Sequence, residues 1–322
     1  MNDKEREKFW QVLLTARNTN DTEKITSKIV YPNKLYRYRS IDIPTLNALV
    51  ENKLYFSTSN YYDDPFDTFI RINIKKIQDI AQCVKNRNIP SGFINSFDLI
   101  PKQSLSEENF NLIVDNVINF AKETRNEIRK WHWSLCFTEK YSNEALWLKY
   151  ANNHRGFVLE YDINGLKNAI FNAEISAPCM MRNNVNFSLY PMYYSKDETG
   201  YDSTNYAGFV TCCYLLEKMG NIDLIKLLSS QMNFMWEMER VLLIKKWIHH
   251  YDEEWRMILN SQYRIESNAK PCLVCKPSKV ILGLKMSDSD KKSVLTTAEK
   301  AHIDSIEQMI INDEDRFVSS KI

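Results

Sequence analysis

Only seven glycines occur in 322 residues, and no two lie closer together than Gly200 and Gly208. Neither a GxGxxG dinucleotide fingerprint nor a P-loop can be written at that spacing, so the folds that cradle phosphate on glycine-rich turns are excluded. A nucleotide bound here would have to be held by guanidinium groups, hydroxyls and aromatic rings. HExxH and GxSxG are also missing, which leaves a zincin or a standard serine hydrolase without support. Lys and Arg number 42 against 41 Asp and Glu, so the net charge of +1 makes no bulk magnet for nucleic acid or acidic membrane. Any phosphate binding has to be local. A 44% hydrophobic content with 12% aromatics describes a globular chain with a sizeable core. With no leader-like N-terminus and no run of about 18 apolar residues, a cytoplasmic protein without a membrane span is expected.

The densest concentration of chemistry is LYRYRSIDIPTLNALVENKLYFSTSNYYDDPFD, residues 35 to 67. Leu35 to Arg39 alternates as a strand does, which places Tyr36 and Tyr38 on one face and Arg37 and Arg39 together on the other. Leu46, Leu49 and Val50 form one helical stripe, and Lys53 to Ser59 reads as a second strand ending in Ser57, Thr58 and Ser59. Strand, helix, strand predicts a parallel pair whose ends share an edge, bringing Arg37 or Arg39 to a pocket with Ser57 and the acidic loop Asp63, Asp64 and Asp67. A purely structural use of the same residues is arginine pairing with Asp64 and Asp67 to lock the loop, and a strand-end serine equally well bonds a turn or caps a helix.

Elsewhere, residues 3 to 18 predict an amphipathic N-terminal helix carrying Phe9, Trp10, Leu13 and Leu14. Helix-prone stretches follow at 72 to 88, where the lysines form a solvated face or touch phosphate, and from Ser104, which with Glu107 makes a capping box, through Ile128. The span 90 to 101 reads as connecting loop. Trp131 to Thr138 alternates as a strand, with Trp131, Trp133, Leu135 and Phe137 opposite His132, Ser134 and Cys136. Asn143 caps a short helix, FVLEYD continues as a strand, and 205 to 246 holds two helices broken near Gly220. EEWRMIL near 254 reads as a strand with Glu254, Arg256 and Ile258 on one face. Val280 to Leu284, a helix over 287 to 299 and a last strand over 303 to 311 complete the chain. These elements predict one composite α+β domain over 1–322, a mixed central sheet with flanking helices and helical insertions at about 72–130 and 205–248.

The seven cysteines are scattered and odd in number, consistent with free thiols; Cys272 and Cys275 form a CxxC without a second pair at zinc-ribbon distance. His154, after a helix and before Gly156, is either a base near Glu160 or a helix-end residue bonded to carbonyls. His250 with Asp252 and Asp64 forms a conceivable metal set that spacing alone does not demand.

Four segments together resemble the bacterial domain-of-unknown-function family 2971. They are LYRYRS with KLYFSTSNYYDDPFD, SLCFTEKYSNEALWLKYANNHRGFVLEYD, KKWIHHYDEEWRMI and PSKVILGLKMS, which occur in the family's order across most of the chain. More distantly, Arg on a first strand, Ser-Thr-Ser on a second and Glu on a late strand resemble the Arg-Ser-Glu layout of ADP-ribosyltransferases. That resemblance implies an ADP-ribosyltransferase-like fold and NAD as substrate. Arg37 or Arg39 would grip a phosphate, Ser57, Thr58 and Ser59 brace the pocket, and Glu254 hold the nicotinamide ribose as the catalytic carboxylate. Tyr36, Tyr38, Tyr61 and Trp255 would stack on the bases, and Asp64 and Arg256 complete the cofactor-binding set. The chemistry is consistent with physical principle, since loss of nicotinamide leaves an oxocarbenium-like sugar that a fixed carboxylate stabilises. Glu254 and Glu253 also read as simple neutralisers of Arg256, and Glu237 with Glu239 repeats a Glu-x-Glu spelling on a helix, where the two point about 200° apart. The resemblance implies a cytosolic effector, a toxin or phage-defence protein with a protein, nucleic-acid or free-nucleotide target. Two other readings stand beside it: a magnesium nuclease or phosphohydrolase using Asp64, Asp67, Glu160 and Glu254, and a non-catalytic module that binds a nucleotide or a peptide.

Overall fold

A computed structural model describes residues 1–88, 105–172, 185–196, 200–231, 234–261 and 270–322. The segment 90 to 101, Ser104 and Cys179 lie outside these residues. The chain is α+β: a mixed nine-stranded central sheet with helices packed around it. Its strands are β1 (Lys34–Arg39), β2 (Ser57–Thr58), β3 (Trp133–Thr138), β4 (Phe157–Asp162), β5 (Val185–Pro191), β6 (Glu254–Ser261), β7 (Lys279–Leu282), β8 (Ile306–Ile311) and β9 (Phe317–Lys321). The order is β9-β8-β7-β4-β1-β3-β6-β5, with β2 also paired to β3. Only β7 and β8 run parallel; the other sheet neighbours are antiparallel.

The strand-helix-strand unit takes a different form from the parallel pair its sequence predicts. β1 and β2 do run in the same direction, because both are antiparallel to β3, but each hydrogen-bonds to β3 and not to the other. β1 joins β3 at one position, Tyr36 opposite Thr138, whereas β2 takes the far end of the same edge, Ser57 opposite Ser134 and Thr58 opposite Trp133. On its other side β3 is fully zipped to β6 from Glu254 to Leu259. A gap therefore opens between β1 and β2 along one edge of β3, with Leu135 to Phe137 at its back.

Local chemistry sets each border of that gap. The helix α2 (Ile43–Val50) starts where the Asp42 carboxylate accepts from Thr45 N at 2.7 Å, with proline in its first turn, which fixes how the chain leaves β1. The helix α4 (Glu144–Lys149) starts where Asn143 accepts from Leu146 N. Gly156, at the start of β4, has no room for a side chain, since a Cβ there would sit 2.1 Å from the Arg39 carbonyl oxygen. That close approach lets β1 lie against β4 over its whole length, Lys34 to Arg39.

The core beneath the sheet gathers Phe9, Trp10 and Leu13 of α1 (Asp3–Thr15), Leu35, Leu135, Phe137, Trp255 and Met257. A second apolar cluster is made where the two helical insertions meet, Ile77 to Val84 with Phe110 and Val114 against Leu215, Leu216 and Leu228. The long helix α3 (Glu107–Trp131) is capped by Ser106, which accepts from Asn109 N, and runs to Trp131, so β3 starts two residues later than its alternation suggests. The last strand is Ile306–Ile311, and a further strand, β9, follows it as a hairpin partner. Among the described residues no helix is long and apolar enough to cross a membrane.

Candidate functional site

The gap between β1 and β2 is a cleft of about 300 Å³, at the lower end of the range for ligand pockets. Arg37, Arg39, Ser57, Asp64, Glu254 and Arg256 all line it, so the three distant stretches around positions 38, 58 and 254 do converge. Register separates the two sides of this convergence: Tyr36, opposite Thr138, shares a face with Glu254 and Arg256, whereas Arg37 and Arg39 leave β1 on the Phe137 face and border the cleft at the gap between β1 and β2. Glu254, opposite Thr138, and Arg256, opposite Cys136, lie on the face of β6 that continues into the cleft through Ser134, Cys136 and Thr138 of β3.

The floor of the cleft is a closed charge network. Arg256 is completely buried, and each of its five N–H groups is bonded. Two go to the two oxygens of Asp67 at 2.9 Å, two to Oε1 of Glu254 at 2.7 and 3.0 Å, and one to the Leu242 carbonyl at 2.7 Å. The Tyr62 ring covers the guanidinium at 5.2 Å. Lys245 donates to Oε2 of Glu254 at 2.5 Å and stands 3.4 Å from Asp67 and 3.5 Å from Asp252. Burial alone would raise the Glu254 pKa; the Arg256 and Lys245 charges outweigh it and hold the carboxyl at about 2. Burial works against Lys245 too, but Glu254 and Asp67 push its pKa well up, so it stays charged. The simple neutralising role of Glu254 toward Arg256 is thus realised, and both oxygens of the carboxylate are occupied.

The wall of the cleft is different. Arg37 lies over the Phe137 ring at 5.6 Å, and Arg39 reaches Thr45 Oγ1 at 3.5 Å. Among the described residues neither has a carboxylate partner, so the loop-locking pairing with Asp64 and Asp67 does not form. Asp67 is taken by Arg256; Asp64 accepts from Phe66 N and meets His249 Nε2 at 3.2 Å. Burial first and the neighbouring Arg37 charge second lower the Arg39 pKa to about 10, with Tyr161 and Asp42 acting in the opposite direction. Asp63 at the rim stands 3.4 Å from Lys149. All five carboxylates lining the cleft therefore have a basic partner, and among the described residues the two β1 arginines have no ion-pair partner.

The remaining sequence-derived candidates have structural roles. Tyr38 lines the cleft, but its hydroxyl donates to the Lys140 carbonyl at 2.8 Å and accepts from Asn143 N at 3.0 Å, fixing the start of α4. Thr58 is buried in the β2–β3 ladder, and Ser59 is bonded to Thr68 and the Arg129 carbonyl, so both brace the acidic loop from outside the cleft. Trp255 points to the other face of the sheet, where its ring packs near Tyr31 and its Nε1 donates to Glu139. Strand alternation separates it from Glu254 and Arg256 and removes it from any stacking role.

His154 and Glu160 do not form an acid–base pair. His154 sits in a left-handed turn at φ 67°, stacks on Trp147, and has a pKa lowered by burial and by Lys285. Glu160 is held by Lys34 at 2.6 Å and Ser278 at 3.0 Å. Glu237 pairs with Arg240 away from the cleft. Among the described residues no group of three His, Cys, Asp or Glu side chains has the arrangement to hold a metal ion, and the magnesium set is dispersed because Glu160 lies outside the cleft. His250 stacks on Trp247 and bonds its carbonyl, while His249 meets Asp64.

No family model, curated protein or solved structure matches the chain. The site therefore rests on its own geometry.

Sequence reasoning gave no site role to Lys245, Lys149, Tyr150, Tyr62 or Cys136, all of which line the cleft. Lys245 is one lysine in KKWIHH, and nothing in that spelling announces that it is buried against three carboxylates. Cys136 was placed on the correct face, and burial with the nearby Glu254 charge raises its thiol pKa to about 12, so it is an inert wall. Asp252 was weighed only in an acidic run and as a metal ligand with His250 and Asp64, not as a partner of Lys245. Its Oδ1 is buried without a hydrogen-bond partner, and burial raises its pKa.

Proposed function

We propose that the cleft binds a pyrophosphate-bearing nucleotide, with NAD as the ligand and ADP-ribosyl transfer as the reaction. The observation that carries this reading is the pair Arg37 and Arg39, which border the cleft without an ion-pair partner among the described residues, while the carboxylates lining it are all paired. Two neighbouring guanidinium groups at the edge of a cleft, neither in an ion pair among the described residues, attract a diphosphate, which accepts forked hydrogen bonds from both. The volume suits the diphosphate with one ribose, leaving a base to lie on Tyr61 at the mouth. Ser57 and Glu254 share the cavity with the arginines, as the Arg-Ser-Glu resemblance implies. Glu254 is ionised, which an oxocarbenium-like sugar requires of its partner.

A second reading is supported by one specific observation: both oxygens of Glu254 are already engaged by Arg256 and Lys245. A carboxylate so neutralised is a weak stabiliser of a developing cation, which favours a module that binds the nucleotide and does not turn it over. Incubation with adenylate-labelled NAD and a cell lysate separates the two. Nicotinamide release or label transfer that disappears in folded Glu254→Gln supports the transferase. Thermal stabilisation by NAD without release supports the sensor, and neither in a folded protein removes both.

A further inference from the structure

The mouth of the cleft repeats one motif, a lysine ammonium lying over an aromatic ring. Lys149 sits 4.8 Å from the centre of the Tyr150 ring, and both residues line the cleft. Lys270 lies 5.6 Å from Tyr61, another lining residue, whose side chain is 72% exposed. Lys246 lies 4.7 Å from the exposed ring of Phe66, tying the turn at 247–252 to the acidic loop. Next to it, Lys196 lies 4.6 Å from Trp247, whose other neighbour is the coplanar ring of His250 at 4.5 Å.

We propose that this rim is a docking surface for single-stranded nucleic acid, with bases stacked on the rings and phosphates taken by the lysines. An isolated exposed aromatic needs no explanation. Here Tyr61 and Tyr150 line the cleft and are exposed, and Phe66, two residues from the lining Asp64, is exposed as well, each with a lysine ammonium against its ring. A phosphate draws the ammonium off the ring, and the ring face it leaves accepts a base. Every base has such a face, so the recognition tolerates sequence. A duplex, whose bases are already stacked, offers only its phosphates. An acidic protein segment answers the lysines but supplies no flat partner for the rings. The chain's net charge of +1 means that this attraction acts at the rim and not over the whole surface. This surface goes beyond the nucleotide reading and does not depend on NAD being used.

The test is fluorescence anisotropy of the full chain, without NAD, using labelled single strands of about twelve nucleotides, thymidine and uridine runs in separate arms, and a duplex of equal length. We expect binding of one or both single strands, at least about tenfold tighter than the duplex. The slope of log affinity against log salt should be about −3, for four lysine contacts at about 0.7 each. The double variant Lys196→Glu/Lys246→Glu should weaken binding at least about tenfold, and Tyr61→Ala at least about fivefold, with unchanged melting temperatures. If one variant fails to fold, the other decides. No binding at low salt, equal affinity for the duplex, or indifference to both variants overturns the proposal, as does retention of an acidic peptide by a rim that ignores both strands. Loss of nicotinamide release with oligonucleotide binding intact would remove the transferase reading and leave this surface standing.

Discussion

Arg256 on the floor of the cleft and the pair Arg37 and Arg39 on its wall are the same side chain in two opposite situations. Arg256 is fully buried, with five bonded N–H groups and two carboxylates against it. The wall arginines border the cavity from β1, Arg37 over the Phe137 ring and Arg39 on Thr45, and among the described residues neither forms an ion pair with a carboxylate; Asp42 offsets the Arg39 charge only from a distance. A buried charge that is completely satisfied serves the fold, whereas neighbouring charges left without an ion pair beside a cavity store an attraction for an anion. Presence in a cleft does not by itself separate a structural arginine from a ligand-binding one. The count of partners does.

The comparison breaks most visibly at the floor. Arg256→Ala leaves Asp67 and Glu254 buried with only Lys245 to balance them, and should cost about 3–5 kcal/mol of stability in urea unfolding. A loss below about 1 kcal/mol would mean that the network is incidental. A smaller effect comes from acid. The folded pKa of Glu254, about 2, lies below its ordinary value of 4.5, so its contribution is fully present above pH 4.5 and is lost as pH falls toward 2. Melting curves should fall through that window in the wild type and fall less steeply in Glu254→Gln, which starts from lower stability. At the wall, Arg37→Ala and Arg39→Ala should change stability by no more than about 0.5 kcal/mol, because each removes a charge that repels its neighbour and breaks no ion pair. The smallest effect is expected at the rim. His249→Ala removes a contact with Asp64 that is partly solvated, worth less than about 0.5 kcal/mol by thermal melting.

Much of this arrangement was legible where a period of two residues sets a face. Alternation put Arg37 with Arg39, Glu254 with Arg256, and Ser134 with Cys136; the last two pairs share the face that forms the floor of the cleft, while the β1 arginines leave on the opposite face and reach the cleft at its open edge. The cap at Asn143 was legible for a comparably local reason, a side chain that accepts from a backbone N–H three residues on. Pairing across long separations was not. Asp67 and Arg256 are 189 residues apart, and no local pattern says that this aspartate meets Arg256 instead of Arg37 or Arg39. Nor does strand-helix-strand reveal that β1 and β2 leave a gap, since that depends on both borrowing the same edge of β3. Trp255 was misjudged through its attraction as an aromatic neighbour of Glu254, although the same alternation that pairs Glu254 with Arg256 sends Trp255 into the core. The hairpin strand β9 escaped because Ser319, Ser320 and Lys321 dilute its apolar signal.

The central claim is that the wall arginines hold an anionic nucleotide and the floor arginine does not. Calorimetric titration of ADP-ribose into the wild type and into Arg37→Ala/Arg39→Ala tests it directly. The account predicts saturable binding by the wild type and at least about hundredfold weaker binding by the double variant, from the loss of charge-assisted hydrogen bonds worth about 1.5–3 kcal/mol each, at an unchanged melting temperature. No binding by the folded wild type, or equal binding by the double variant, would contradict it.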